Sequence, residues 1–291
     1  MRYLLIMVFF FVSTLSMAGV DNFAIGARSA AMANSTVMLA DIWSGHHNQA
    51  GLASVEHISG GIYYENRFAV KELGLNAGVV VLPVNLWGSS VFGLSFSYFG
   101  YSMYNDMKIG LAYAKKLGER YSVGIQFDYL RTSIGEDYGN KGTVAVEVGL
   151  QAELIDDLYI GVHIFNPTRS KAVEYEVQDV VTTERIPTIL RFGLSYTFSE
   201  KVILTAEVEK DVYAKPAFKA GVEYRAIKQL YLRGGVSSYP VSSSFGFGLY
   251  LGTFTLDFAA TKHQILGYTP QISLSYAINT KSKEQPTEVV E

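Results

Sequence analysis

The chain has 291 residues, no cysteine, and 24 basic against 27 acidic side chains. A balance this close to neutral offers no basic surface to neutralise phosphates, so no nucleic-acid partner is expected, and the lack of cysteine excludes disulfides and thiol ligands. With 20 Tyr, 17 Phe and 27 Gly against 7 Pro, the composition suits an all-β chain with an apolar outer face.

Residues 1–18 read as a secretory signal peptide. Arg2 supplies the positive start, residues 4–12 are an unbroken apolar run, and Ser16 and Ala18 are the small residues that precede cleavage. The run is short for a membrane-spanning helix, which needs about 20 residues. Residues 19–57 follow as a segment of another kind. Its centre, 26–53, is rich in Ala, Ser and Gly and shows no strand alternation, and 27–39 favours one or two helical turns. This stretch is expected to be a plug, with the later strands closing a wall around it.

From residue 58 a period of two takes over. Segments at 58–67, 74–84, 89–99, 106–115, 120–132, 143–154, 158–165, 188–198, 201–210, 217–226, 230–236, 243–252, 253–261 and 270–278 set large apolar side chains against small or polar ones. In 89–99, Phe92, Leu94, Phe96 and Tyr98 oppose Gly93, Ser95 and Ser97. Such lengths match strands of about 9–11 residues crossing a bilayer at a tilt. The expected fold is an all-β, transmembrane antiparallel β-barrel of about 14 strands over 58–278, with the plug segment in its lumen. Residues 279–291 turn polar and read as a disordered periplasmic tail.

The connections carry a second signal. Tight ones at 85–88, 116–119, 156–157, 199–200, 227–229 and 252 alternate with longer ones at 100–105, 133–142, 166–187, 211–216, 237–242 and 262–269. Outer-membrane barrels sort their turns this way, short on the periplasmic side and longer outside. A Gram-negative-type outer membrane is therefore the expected location, and its lipid the first partner. Tyr64, Tyr98 and Tyr129 fall near outer strand ends, and Tyr113, Tyr121, Tyr196, Tyr224 and Tyr276 toward the tight turns, as two aromatic girdles would.

The other face carries Lys108, Asp128, Glu147, Arg191, Glu207, Lys219, Glu223, Arg225, Arg233 and Asp257. A midplane charge facing lipid costs on the order of 2–4 kcal/mol, so these side chains must face a lumen. Along Arg191, Glu207, Lys219, Glu223, Arg233 and Asp257 the signs permit cross-strand pairing, which would fill and stiffen that lumen. No catalytic site is expected. Gly93-Leu94-Ser95 lacks the second glycine of a nucleophile elbow, and neither a phosphate-binding loop nor a dinucleotide fingerprint occurs. His46 and His47, near Asp41, lack metal-ligand spacing and read as polar contacts between plug and wall, so neither cofactor nor metal is expected.

Gly26-Ala27-Arg28-Ser29-Ala30-Ala31-Met32, then Leu39-Ala40-Asp41, then Asn48-Gln49-Ala50-Gly51-Leu52 resembles the N-terminal signature of FadL-like outer-membrane proteins, most nearly the PorV/PorQ branch associated with type IX secretion. Gln49 stands where that signature has proline, and Ala33-Asn34 where it has a glycine pair. The resemblance implies a fourteen-stranded barrel whose lumen holds the segment as a hatch, with Gly26, Arg28, Met32, Asp41, Asn48, Ala50, Gly51 and Leu52 as its signature residues. It also implies one of two non-enzymatic roles. The leading one is a scaffold or shuttle that engages secreted or secretion-system proteins through the 166–187 loop. The alternative is a transporter of small hydrophobic molecules, which ranks second because the inward residues read as mostly small or charged.

Overall fold

A computed structural model describes residues 24–85, 88–135, 140–170, 174–177, 180–183 and 186–278. The signal at 1–18 and the tail at 279–291 lie outside them. The strands are β1 (Ser59–Asn66), β2 (Gly74–Asn85), β3 (Ser89–Tyr101), β4 (Tyr104–Leu117), β5 (Tyr121–Ile134), β6 (Asn140–Ile155), β7 (Leu158–Phe165), β8 (Glu174–Val177) and β9 (Val180–Thr183). They continue as β10 (Ile189–Phe198), β11 (Val202–Asp211), β12 (Ala217–Ile227), β13 (Leu230–Ser238), β14 (Val241–Leu251), β15 (Phe254–His263) and β16 (Gly267–Ala277).

Every strand except β8 and β9 joins one closed barrel, and the fourteen follow one another in chain order. All neighbours are antiparallel, and β1 closes the ring against β16 from Ser59↔Ala277 to Glu65↔Gln271. All fourteen expected segments are present as strands. The large outward side chains are exposed, with Ile62 at 65%, Leu111 at 56% and Phe245 at 57%. A continuous apolar belt of this kind belongs against lipid. Tyr64, Tyr121, Tyr129, Tyr196, Tyr224 and Tyr276 are exposed on the same face, while Tyr98 and Tyr113 are partly covered. Among the described residues no helix is long and apolar enough to cross a membrane.

Two expectations about the connections need correction. Several outer connections are short, because the strands run past the ends their apolar alternation marks. Pairing continues to Tyr101↔Tyr104, to Ser238↔Val241 and to His263↔Gly267. Backbone ladders do not need apolar side chains once the chain leaves the bilayer, so alternation underestimates strand length there. The 166–187 stretch, expected to be a loop, contains the separate hairpin of β8 and β9.

Candidate functional site

The segment that precedes β1 packs on strands around the ring, Ala27–Ala31 against β13–β16 and the stretches Ile42–His46 and Gln49–Ser54 against β1–β6. Ala27–Ala31 forms a short helix, α1. It follows Gly26, whose φ of 107° suits glycine and whose missing Cβ leaves room for the Trp43 ring. Ala27, Ala30 and Ala31 are buried, and a Cβ on Gly246 of β14 would stand 2.7 Å from that of Ala31. Small residues on both surfaces bring the helix close to the wall. The chain then turns through Ala33 and Asn34, both at positive φ.

A 3-10 turn at Ile42–His46 is held by a capping box. Asp41 Oδ1 accepts from the Trp43 N–H (2.8 Å), and Ser44 Oγ accepts from the Asp41 N–H (3.1 Å). A second 3-10 turn, Gln49–Ser54, starts at Asn48, whose Oδ1 accepts from the Ala50 N–H (3.2 Å). Gly51 packs so closely on Ser44 that a Cβ would stand 2.8 Å from the Leu39 carbonyl.

Along one arc of the wall this segment docks on charge. Arg28 forks onto Glu223 of β12 (2.9 and 2.8 Å) and reaches Asp41 (2.9 Å). Glu223 also accepts from Arg233 (2.5 Å), which in turn bonds Asp257 (2.6 Å). Glu207 Oε2 accepts the backbone N–H groups of Thr36 and Val37 at 2.8 and 2.9 Å. Gln49 Nε2 donates to Glu147 (2.7 Å), a fully buried carboxylate that also pairs with Lys108 and His163. Asn48 Nδ2 donates to Val37 O (2.7 Å) and to Leu150 O of the wall (3.1 Å). The side chain that replaces the signature proline is thus itself an anchor.

The six charges picked out as a ladder all face inward, but they form two networks. Arg233 joins Glu223 and Asp257 in one. In the other, Arg191 bonds Glu209 (2.7 Å), which bonds Lys219 (2.8 Å), which reaches Glu207 (3.4 Å). Glu209, the central link, was missed in the sequence although it shares the parity of Glu207.

A different arc is apolar. Tyr63 of β1, Leu75, Ala77, Val79 and Val81 of β2 and Val91 of β3 face inward and are buried with Ile25, Trp43 and Leu52 in one cluster. Trp43 meets Tyr63 edge-on, with centroids 6.2 Å apart, and stacks on His46 at 6.4 Å. His46 Nε2 contacts the Gly78 carbonyl (3.3 Å). Burial pushes His46 and His47 down to about 3, and Lys108 near the first and Arg191 near the second add repulsion.

The expectation of a mostly small or charged inner wall is therefore corrected over β1–β3. The inward placement of small residues such as Gly93 was expected, but not that inward glycines form a belt in close contact with the segment. A Cβ on Gly93 would stand 2.8 Å from Leu52, on Gly124 2.5 Å from the Ala50 nitrogen, and on Gly221 2.8 Å from Met32. Their repeated placement before outward Leu or Val, as in Gly149-Leu150 and Gly221-Val222, was the available signal.

Cavities flank the segment. The outer one, about 460 Å³, is lined by Glu65, Phe68, Arg191, Lys219, Tyr239 and Gln271 among others. Two lie toward the tight turns, of about 420 Å³ beside Leu39, Arg120 and Tyr159, and about 280 Å³ beside Ile42, Trp43 and Val55.

No protein-family model matches the chain, and no curated protein matches it. Solved structures do. The CymD monoaromatic hydrocarbon channel matches with a TM-score of 0.69 at 13% identity, over 90% of this chain and 98% of that one. A Pseudomonas aeruginosa FadL homologue gives 0.68 at 11%, over 89% and 100%. The Pseudomonas putida toluene transporter TodX gives 0.63 at 13%, over 88% and 99%. At these identities the likeness is one of fold, and that fold is the one found in FadL-type outer-membrane barrels.

Proposed function

We propose that this protein is a non-enzymatic outer-membrane channel for small hydrophobic molecules, exported by its 1–18 signal and closed at rest by residues 24–57. The observation that carries this reading is the apolar arc. Tyr63, Leu75, Val79, Val81 and Val91 give the lumen an inner surface that meets the plug through Ile25, Trp43 and Leu52. An apolar solute loses little on leaving lipid for such a surface, whereas a polar one gives up its hydration without compensation. The fold likeness to a hydrocarbon channel and a toluene transporter supports the same solute class. No observation among the described residues favours the secretion scaffold.

The test is uptake of radiolabelled toluene by intact cells expressing the assembled barrel, against vector controls. Uptake faster than in the vector control is the expected result. Uptake at the vector rate from a correctly assembled barrel overturns the reading.

A further inference from the structure

We infer that Trp43 is the stopper of the apolar arc and that its ring sets the largest solute the channel passes. The inference rests on the channel reading above and adds where the barrier stands. Three adjacent strands locate it. On β1, Glu65 lines the outer cavity and Ser59 the inner one; on β16 the corresponding residues are Gln271 and Ser275; on β15 they are Thr261 and Asp257. The inward positions left between are Gly61 and Tyr63, then Ser273, then Ala259.

Apart from Tyr63 the wall at this level is small, so the plug must fill the gap. It does so with α1 against β15 and β16, where the Ala27 N–H meets Ser273 Oγ, and against β1 with Trp43, its largest side chain, which is 3% exposed. The ring is seated between glycines: a Cβ on Gly26 or on Gly61 would stand 2.9 Å from it. Removing so large a ring from beside the glycines, alanines and serine of this layer would enlarge the inner cavity, which it borders, toward the outer one.

The ring can also move without undoing the plug. Its backbone is fixed through the Asp41 cap and, by way of Arg28, through Glu223 of the wall. The side chain itself is held by packing against Tyr63, His46 and the two glycines. Packing contacts are non-directional and have no partner left unpaired when broken. The inner cavity of about 280 Å³ borders the ring and gives it somewhere to swing. The stopper is thus a side-chain rotation on an anchored backbone, and the solute size it admits follows from how far the ring turns toward that cavity.

The test compares uptake of benzene and pyrene by cells expressing the wild type, W43A, W43L and G61A, each shown to be assembled by its heat-modifiable mobility on gels. W43A is expected to raise the pyrene-to-benzene ratio roughly tenfold, as removal of a barrier of about 1.4 kcal/mol would. W43L should lie between, and G61A, whose Cβ crowds the ring, should slow both solutes. An unchanged ratio in an assembled W43A or W43L barrel overturns the inference. Wild-type benzene uptake at the vector rate instead overturns the channel reading on which it rests.

A second measurement needs no change at Trp43. Trp43 and Trp87 are the only tryptophans, so in a W87F barrel bromobenzene should quench Trp43 fluorescence saturably. Quenching that is only linear with concentration, as for collisions through lipid, counts against the stopper.

Discussion

The two arcs of the lumen hold the same plug by different physics. From β4 through β13 buried ion pairs and charge-assisted hydrogen bonds, centred on Glu147, Glu207 and Glu223, stand among close glycine contacts. Over β1–β3 the contacts are mostly apolar, and that of His46 Nε2 with the Gly78 carbonyl is the polar one. Parting a buried ion pair leaves a bare charge in a poor solvent, so the first arc resists motion. Parting an apolar contact exposes only area, and an entering apolar solute replaces what is lost. One plug can therefore be fixed on one side and yielding on the other.

The strongest way to break that contrast is at Glu147, which is fully buried and takes bonds from Gln49, Lys108 and His163. Glu147→Ala leaves Lys108 with a weaker partner, Asp128 at 3.7 Å. A loss of about 3–5 kcal/mol is expected for a buried pair broken on one side. It should appear as a marked drop in the temperature at which the folded gel band converts to the unfolded one. No shift would mean that the charged arc anchors nothing.

Glu207→Ala comes next. It orphans the N–H groups of Thr36 and Val37, an expected cost of about 2 kcal/mol after water has partly replaced the carboxylate. Because this contact joins plug to wall, the sensitive readout is proteolysis within 24–57, which should quicken while the barrel stays protease-resistant.

Acid sharpens the comparison from the plug's own side. His46 and His47 titrate at about 3 when docked, against about 6.5 when free. Above pH 6.5 both are neutral in either state and docking is at full strength. As the pH falls from 6.5 toward 3 the released plug takes up protons that the docked one refuses, so docking weakens. At pH 6 the two together amount to about 1–2 kcal/mol. Proteolysis of the plug should therefore be faster at pH 6 than at pH 7.5, and the His46→Gln, His47→Gln double variant should lose that difference.

Much of this was legible in the sequence because membrane strands alternate strictly: lipid fixes one face, and charges such as Arg233 and Asp257 can only take the other. The apolar arc was harder to read. Residues 78–84 form an almost unbroken apolar run, Gly-Val-Val-Val-Leu-Pro-Val, the pattern of a strand covered on both faces. Read that way, it would have placed Val79 and Val81 against the plug. Gln49 could be seen to replace proline, but its partner Glu147 lies 98 residues away, and no local pattern links them. The β8 and β9 hairpin has only four residues per strand, too few for alternation to register.

The smallest expected effect contrasts an ion pair in the lumen with one at the rim. Arg28–Asp41 and Arg120–Asp156 are both ion pairs at 2.9 Å. The first sits inside the lumen, with side chains 14% and 27% exposed, and the second on the tight-turn rim at 49% and 88%. At the rim, water and salt screen the charges in either state, so Asp156→Ala should change stability by less than about 0.5 kcal/mol. Asp41→Ala removes both the Trp43 cap and a partner of Arg28, and should lower the unfolding temperature clearly. Equal shifts for the two substitutions would mean that distance, and not the lumen's exclusion of water, sets the strength of the plug's ion pairs.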